Sequence, residues 1–186
     1  MFPDKFCEAL SQLHADAPAH SWKITQTTVE EALCIPTGSL YDIFSSFDPE
    51  PVASGSIAQI HRATIKPKGY DACNPEEEGS LVAVKVRHPN VARLMDMDFR
   101  LMSMLAATID LFPALRWLRL KSSIEQFSCT MAGQAHLNVE AHHLEVLNHN
   151  FRDWQYVDFP QPIFACSKVI IETFEEGKIC STVLTL

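Results

Sequence analysis

Val82-Ala83-Val84-Lys85-Val86-Arg87-His88-Pro89 decides the reading of this chain, together with Pro51-Val52-Ala53-Ser54-Gly55-Ser56-Ile57-Ala58-Gln59-Ile60-His61 before it. The later stretch has the make-up of a buried strand, with β-branched residues around a single lysine. An ammonium group among valines is costly to desolvate unless an anion meets it. The earlier stretch is a turn of small residues between two β-rich runs. A flexible turn beside a strand lysine reads as a clamp for nucleotide phosphates.

Working outward, Ser56 to Ile65 reads as a strand and Leu81 to Val86 as its partner. Between them, Lys66 to Gly79 is polar, with Pro67, Gly69, Pro75 and the run Glu76-Glu77-Glu78, and reads as a solvated insertion. Upstream, Phe6, Ala9, Leu10 and Leu13 set a helical period over Asp4 to Ala15, which Pro18 ends. Thr27 and Glu30 have the spacing of a capping box opening a short helix through Ala32 and Leu33, closed by Pro36 and Gly38. Downstream, Arg93 to Phe112 is helical in period. Its stripe of Leu94, Met97, Leu101, Met104 and Leu105 is expected to pack in the core. Pro113 breaks it, and a second long helix is expected over Ser122 to Asn150. Val169 to Phe174 reads as a further buried strand.

Composition narrows the class. With 186 residues, 47% of them hydrophobic, the chain can bury one core but not two full domains. A net charge of −8 with scattered Lys and Arg argues against a nucleic-acid footprint. Six cysteines without C-x-x-C spacing support neither a zinc ribbon nor a disulfide scaffold, and reduced thiols are expected. No leader is legible at Met1. The longest apolar candidate, Leu101 to Trp117, is interrupted by Asp110, Pro113 and Arg116, so a soluble or peripheral chain is expected.

Ala53-Ser54-Gly55-Ser56-Ile57-Ala58-Gln59-Ile60-His61-Arg62-Ala63, followed by the Lys85 strand, resembles the UbiB/ABC1/ADCK family of atypical kinase-like proteins. That family carries an alanine-rich loop where ordinary kinases carry a glycine-rich one, and Gly55 departs from its commonest all-alanine form. The resemblance implies an α+β fold: a kinase-like N-lobe with a small antiparallel sheet packed with long helices, the C-lobe missing. It implies an N-terminal helical extension over residues 1–48 and an N-lobe over 49–186 ending just after the hinge strand. It also selects the site residues. Ala53, Ser54, Gly55, Ser56 and Ile57 are expected to cover ATP or ADP, Lys85 to contact phosphate, Glu140 to orient Lys85, and Glu172 to lie on the hinge strand. The residues alone do not choose Glu140 over Glu145 or Glu125. Pro113-Ala114-Leu115-Arg116-Trp117-Leu118 and Gln134 are most similar to the mitochondrial ADCK branch with Gln-x-Asp, although His136 stands where that acid is expected.

Neither an H-R-D-like loop nor a D-F-G follows Glu172, so no catalytic residue is assigned and no phosphotransfer is expected of the chain by itself. Magnesium is expected only where a C-lobe completes the module. The family resemblance implies a role in quinone or lipid metabolism in mitochondria or plastids. The alternative is a non-catalytic interaction protein, holding a protein or lipid partner on the surface a C-lobe would cover. His136, Glu140 and His143 follow one another at helical spacing and would suit zinc, but adjacent His142 and His143 point apart, which favours a mixed surface and packing role. Ser54 and Ser56 lack the setting of a nucleophile.

Overall fold

The computed structural model describes residues 18–67 and 79–177. The helix expected over Asp4 to Ala15, the Glu76-Glu77-Glu78 run and the last residues from 178 lie outside them. The fold is α+β. The sheet is antiparallel, in the order β1 (Phe44–Phe47), β3 (Ala58–Ile65), β4 (Ser80–Arg87), β6 (Val169–Thr173) and β5 (Pro162–Ala165), and the short β2 (Ala53–Ser54) also pairs with β3. Central β4 alternates its side chains as a pleated strand must. Val82, Val84 and Val86 enter a core with Phe44, Phe47, Val169 and Ile171, covered by α1 (Trp22–Ala32) and α2 (Leu40–Ile43). Lys85 and Arg87 face the other way, where Ala58 and Ile170 meet Leu137 and Ala141 of α5 (Leu137–Phe151).

Two corrections concern helix ends. α1 begins at Trp22, not at a Thr27 cap; Thr27 Oγ1 donates back to the Lys23 carbonyl (2.9 Å) from inside the helix. Glu30 is buried and accepts from Gln26 and from the Gly38 backbone N–H (2.9 Å), so it pins the turn after the helix. Gly38, at φ +91°, is where that turn needs glycine. The single long helix expected over Ser122 to Asn150 is two: α4 (Leu120–Gln134) and α5, broken at Ala135 and His136. Arg87 explains the break, because its Nη1 donates to the Ala135 carbonyl (2.8 Å) at the negative end of α4.

The third correction concerns α3 (Val91–Ile109), whose apolar stripe is not core. Leu94, Met97, Leu101, Met104 and Leu105 are all more than half exposed. Among the described residues the helix packs chiefly on α4, with Phe99 against Phe127 and Ala106 buried, while its apolar stripe stays exposed. A short 3₁₀ helix (Pro113–Leu118) links the two. Among the described residues no helix is long and apolar enough to cross a membrane.

Candidate functional site

Lys85 is centred on β4, opposite Ile60 of β3 and Ile170 of β6, and its stem lies along the sheet face that α5 covers. Its Nζ donates to both carboxylate oxygens of Glu140, at 2.6 and 2.8 Å. An ammonium has three N–H groups, and among the described residues Glu140 engages two of them, which leaves one for an anion in the space beyond. Glu140 lies in the first turn of α5, where unpaired backbone N–H groups favour a carboxylate. The residue that the sequence alone left level with Glu145 and Glu125 is the one that meets the lysine.

Glu172 stands on β6 opposite Ala83, on the same sheet face as Lys85. Burial pushes its carboxyl pKa above the ordinary value, the Glu140 charge adds to the rise, and Lys85 opposes it. Its Oε2 is buried and has no hydrogen-bond partner among the described residues. The three groups therefore form a carboxylate, ammonium, carboxyl cluster in which protonation of Glu172 relieves like-charge repulsion.

A cavity of about 440 Å³ opens beside this cluster. Ile57 and Lys85 line it from the sheet side, Thr130, Gly133 and Gln134 from α4, and His136 and Glu140 from the start of α5. Of the eight residues singled out in the sequence, Ile57, Lys85 and Glu140 reach its wall. Ala53, Ser54, Gly55 and Ser56 form the β2 arm and turn of a small hairpin on β3, closed by Gly55 N–H donating to the Ala58 carbonyl (2.9 Å). Gly55 needs no left-handed φ, and a Cβ there would meet only the Ala58 carbonyl oxygen at 3.7 Å. Ser54 Oγ is buried without a partner among the described residues. Thr130 and Gly133 carry no sequence signal, because the break that turns them toward Lys85 is imposed from β4. His136, Glu140 and His143 do not assemble into a metal site: among the described residues no group of three or more His, Cys, Asp or Glu is placed to hold an ion.

Residues 12–184 match the ABC1 atypical kinase-like domain. The chain belongs to the ABC1 atypical kinase-like family. Its ABC1 relatives include a probable serine/threonine-protein kinase, abkC, of Dictyostelium discoideum, 37% identical over 95% of this chain and 24% of that protein. The mitochondrial ABC1 family protein C21C3.03 of Schizosaccharomyces pombe is 31% identical over 95% of this chain and 28% of its own length. A probable protein kinase UbiB of Shewanella baltica is 32% identical over 82% of this chain and 26% of that protein. The ABC1 chain thus spans about a quarter of the length of these relatives. Among solved structures, Rv3197 of Mycobacterium tuberculosis, in complex with erythromycin, shares the fold at a TM-score of 0.69 and 23% identity, over 99% of this chain and 43% of that one.

Proposed function

We propose that this chain is the ATP- or ADP-binding N-lobe of an ABC1-type kinase-like protein. The supporting observation is the Lys85–Glu140 pair at the wall of the cavity, which holds the ammonium in place with one N–H still to offer. In kinases a strand lysine oriented by a helix glutamate contacts the nucleotide phosphates, and this pair has the same division of labour. The hairpin Ala53 to Ile57 covers the phosphates, and Glu172 on β6 borders the nucleotide. With His136 in place of the family acid and no H-R-D or D-F-G in the sequence, the chain by itself binds nucleotide without transferring phosphate. Magnesium joins only where a C-lobe supplies oxygen ligands. Mitochondrial placement is supported by the name of the Schizosaccharomyces pombe relative, and the family tie to quinone or lipid metabolism sets the wider role.

Calorimetric titration with ATP and ADP tests the reading. Saturable binding weakened at least tenfold by Lys85→Met supports it, and equal binding by the two proteins rejects it. A second reading, a non-catalytic partner-binding protein, is favoured by the exposed apolar stripe of α3. Stable capture of a protein partner or lipid by a chain that takes no nucleotide would support that alternative.

A further inference from the structure

The hairpin turn is held from beneath by polar side chains that nucleotide binding does not use. His88 follows β4, and its backbone N–H donates to the Ile57 carbonyl (2.9 Å). Its ring Nε2 donates to the Gly55 carbonyl (2.9 Å). In a neutral ring His88 Nδ1 is then an acceptor, and it faces His20 Nδ1 at 2.7 Å, so His20 donates there. His20 Nε2 is left to accept from Thr25 Oγ1 (3.1 Å). Thr25 Oγ1 in turn accepts from Gln59 Nε2 (3.1 Å), whose other N–H goes to His61 Nε2 (2.9 Å). His61 Nδ1 donates to the Asp48 carbonyl (2.9 Å).

This chain of bonds ends on a carbonyl at both sides, and a carbonyl only accepts. Thr25 Oγ1 also lies 3.3 Å from His61 Nε2, but along the shorter contacts both ends are satisfied when one member donates in both directions. Gln59 is that member. Its amide nitrogen has the His20 carbonyl at 3.3 Å as well, and gives its two hydrogens to the nearer Thr25 and His61 while its oxygen accepts the His20 backbone N–H (2.8 Å), so it is buried with donors and acceptor engaged. The Gly55 and Asp48 carbonyls set which nitrogen of His88 and of His61 carries the proton, His88 in turn sets His20, and Gln59, donating toward both branches, joins the two settings without conflict.

We propose that His88 is a positioning residue for the nucleotide loop: it grips the Gly55 and Ile57 carbonyls and sets how the hairpin sits beside Lys85, while His20, Thr25, Gln59 and His61 keep its ring oriented. The assignment rests on the nucleotide reading above. Two variants separate the arms of the ring. Asparagine places a polar atom near Nδ1 and keeps only the His20 contact, whereas glutamine reaches the Nε2 position and keeps the donor to Gly55.

The experiment measures amide hydrogen exchange at Gly55 and His88 without nucleotide, and ATP affinity by calorimetry, for the full chain and both variants. Loss of one neutral hydrogen bond corresponds to roughly a tenfold change in a local equilibrium. The expected result is about tenfold faster exchange at these amides in His88→Asn with a comparable loss of ATP affinity, and near-parental values in His88→Gln. Unchanged loop exchange in His88→Asn, or identical behaviour of the two variants, overturns the proposal. Faster exchange with unchanged ATP affinity overturns it as well, because the contact would then be structural only. A parental chain that binds no ATP rejects the nucleotide reading, and with it the positioning role, whatever the exchange shows; the exchange data then separately establish whether the grip on the loop exists.

Discussion

Lys85→Met keeps the length of the side chain and removes the cation between two acidic groups. The pair it breaks has contacts of 2.6 and 2.8 Å, with 23% of the lysine and 40% of the glutamate side chain exposed. Exposed pairs contribute about 0–1 kcal/mol, and removing one partner of a buried pair costs about 3–5 kcal/mol. Intermediate burial puts this loss at about 2 kcal/mol near pH 8, a fall in Tm of about 4–8 °C for a chain of this size. Glu172 gives the effect a pH signature. Its folded pKa is already raised, and losing Lys85 removes the influence that opposes the rise. A carboxyl with a raised folded pKa stabilises fully below its unfolded pKa and loses that contribution as pH rises through the folded value. The deficit of Lys85→Met is therefore largest at pH 8 and shrinks toward pH 5. Urea denaturation of parent, Lys85→Met, Glu140→Gln and the double variant at both pH values measures it. A deficit equal at the two pH values, or single effects that simply add within about 0.5 kcal/mol in the double variant, would refute this account.

Other substitutions probe the same face and its neighbours. Glu172→Gln removes like-charge repulsion with Glu140, so its urea midpoint should rise at pH 8 and match the parent near pH 4; a lower midpoint at pH 8 contradicts the cluster. Gly55→Ala restores the common family residue in a place with room for it, and should leave stability unchanged or raise it by about 0.4–1 kcal/mol. Gly79→Ala brings a Cβ to 2.8 Å from Thr64 Cγ2 and closer still to the Ile65 carbonyl, and should cost about 1–3 kcal/mol in the same denaturation assay. Acid acts through the histidines. Burial, then the neighbouring His88 and His61, holds His20 down to about 4, and burial lowers His61 against the opposing Asp48 carbonyl and charge. The unfolded chain takes up protons from about pH 6.5, so stability from these rings is full above that value and lost as pH falls toward 4. His20→Gln should flatten this slope, and parallel pH curves would exclude the effect.

The strands are legible because alternation around Lys85 repeats the period of a pleated sheet and the continuous β-branched run Val169-Ile170-Ile171 has the make-up of a buried strand. Lys85 could be singled out from its surroundings, whereas Glu140 emerged only from the family resemblance, since no periodicity distinguishes one helix glutamate from another. β1 is not legible in the sequence because Phe44-Ser45-Ser46-Phe47 is short and half polar, and its pairing with β3 is a tertiary fact. The break before α5 was invisible because alanine and histidine fit a helix; Arg87, distant in sequence, imposes it. The α3 stripe marks an amphipathic helix but not what faces it, and Glu30 looked like a cap because spacing does not record burial.

Arg87 also has a mechanical consequence. Lys85 and Arg87 are two residues apart on one strand, one holding the first turn of α5 and the other the Ala135 carbonyl at the end of α4. A load applied to the α3–α4 hairpin along α4 would meet the Arg87 contact with the sheet before it could pull on Glu140. The hairpin could then be tugged or twisted by whatever engages it while the ammonium–carboxylate pair stays in register, as a guy rope anchored beside a tent pole spares the pole.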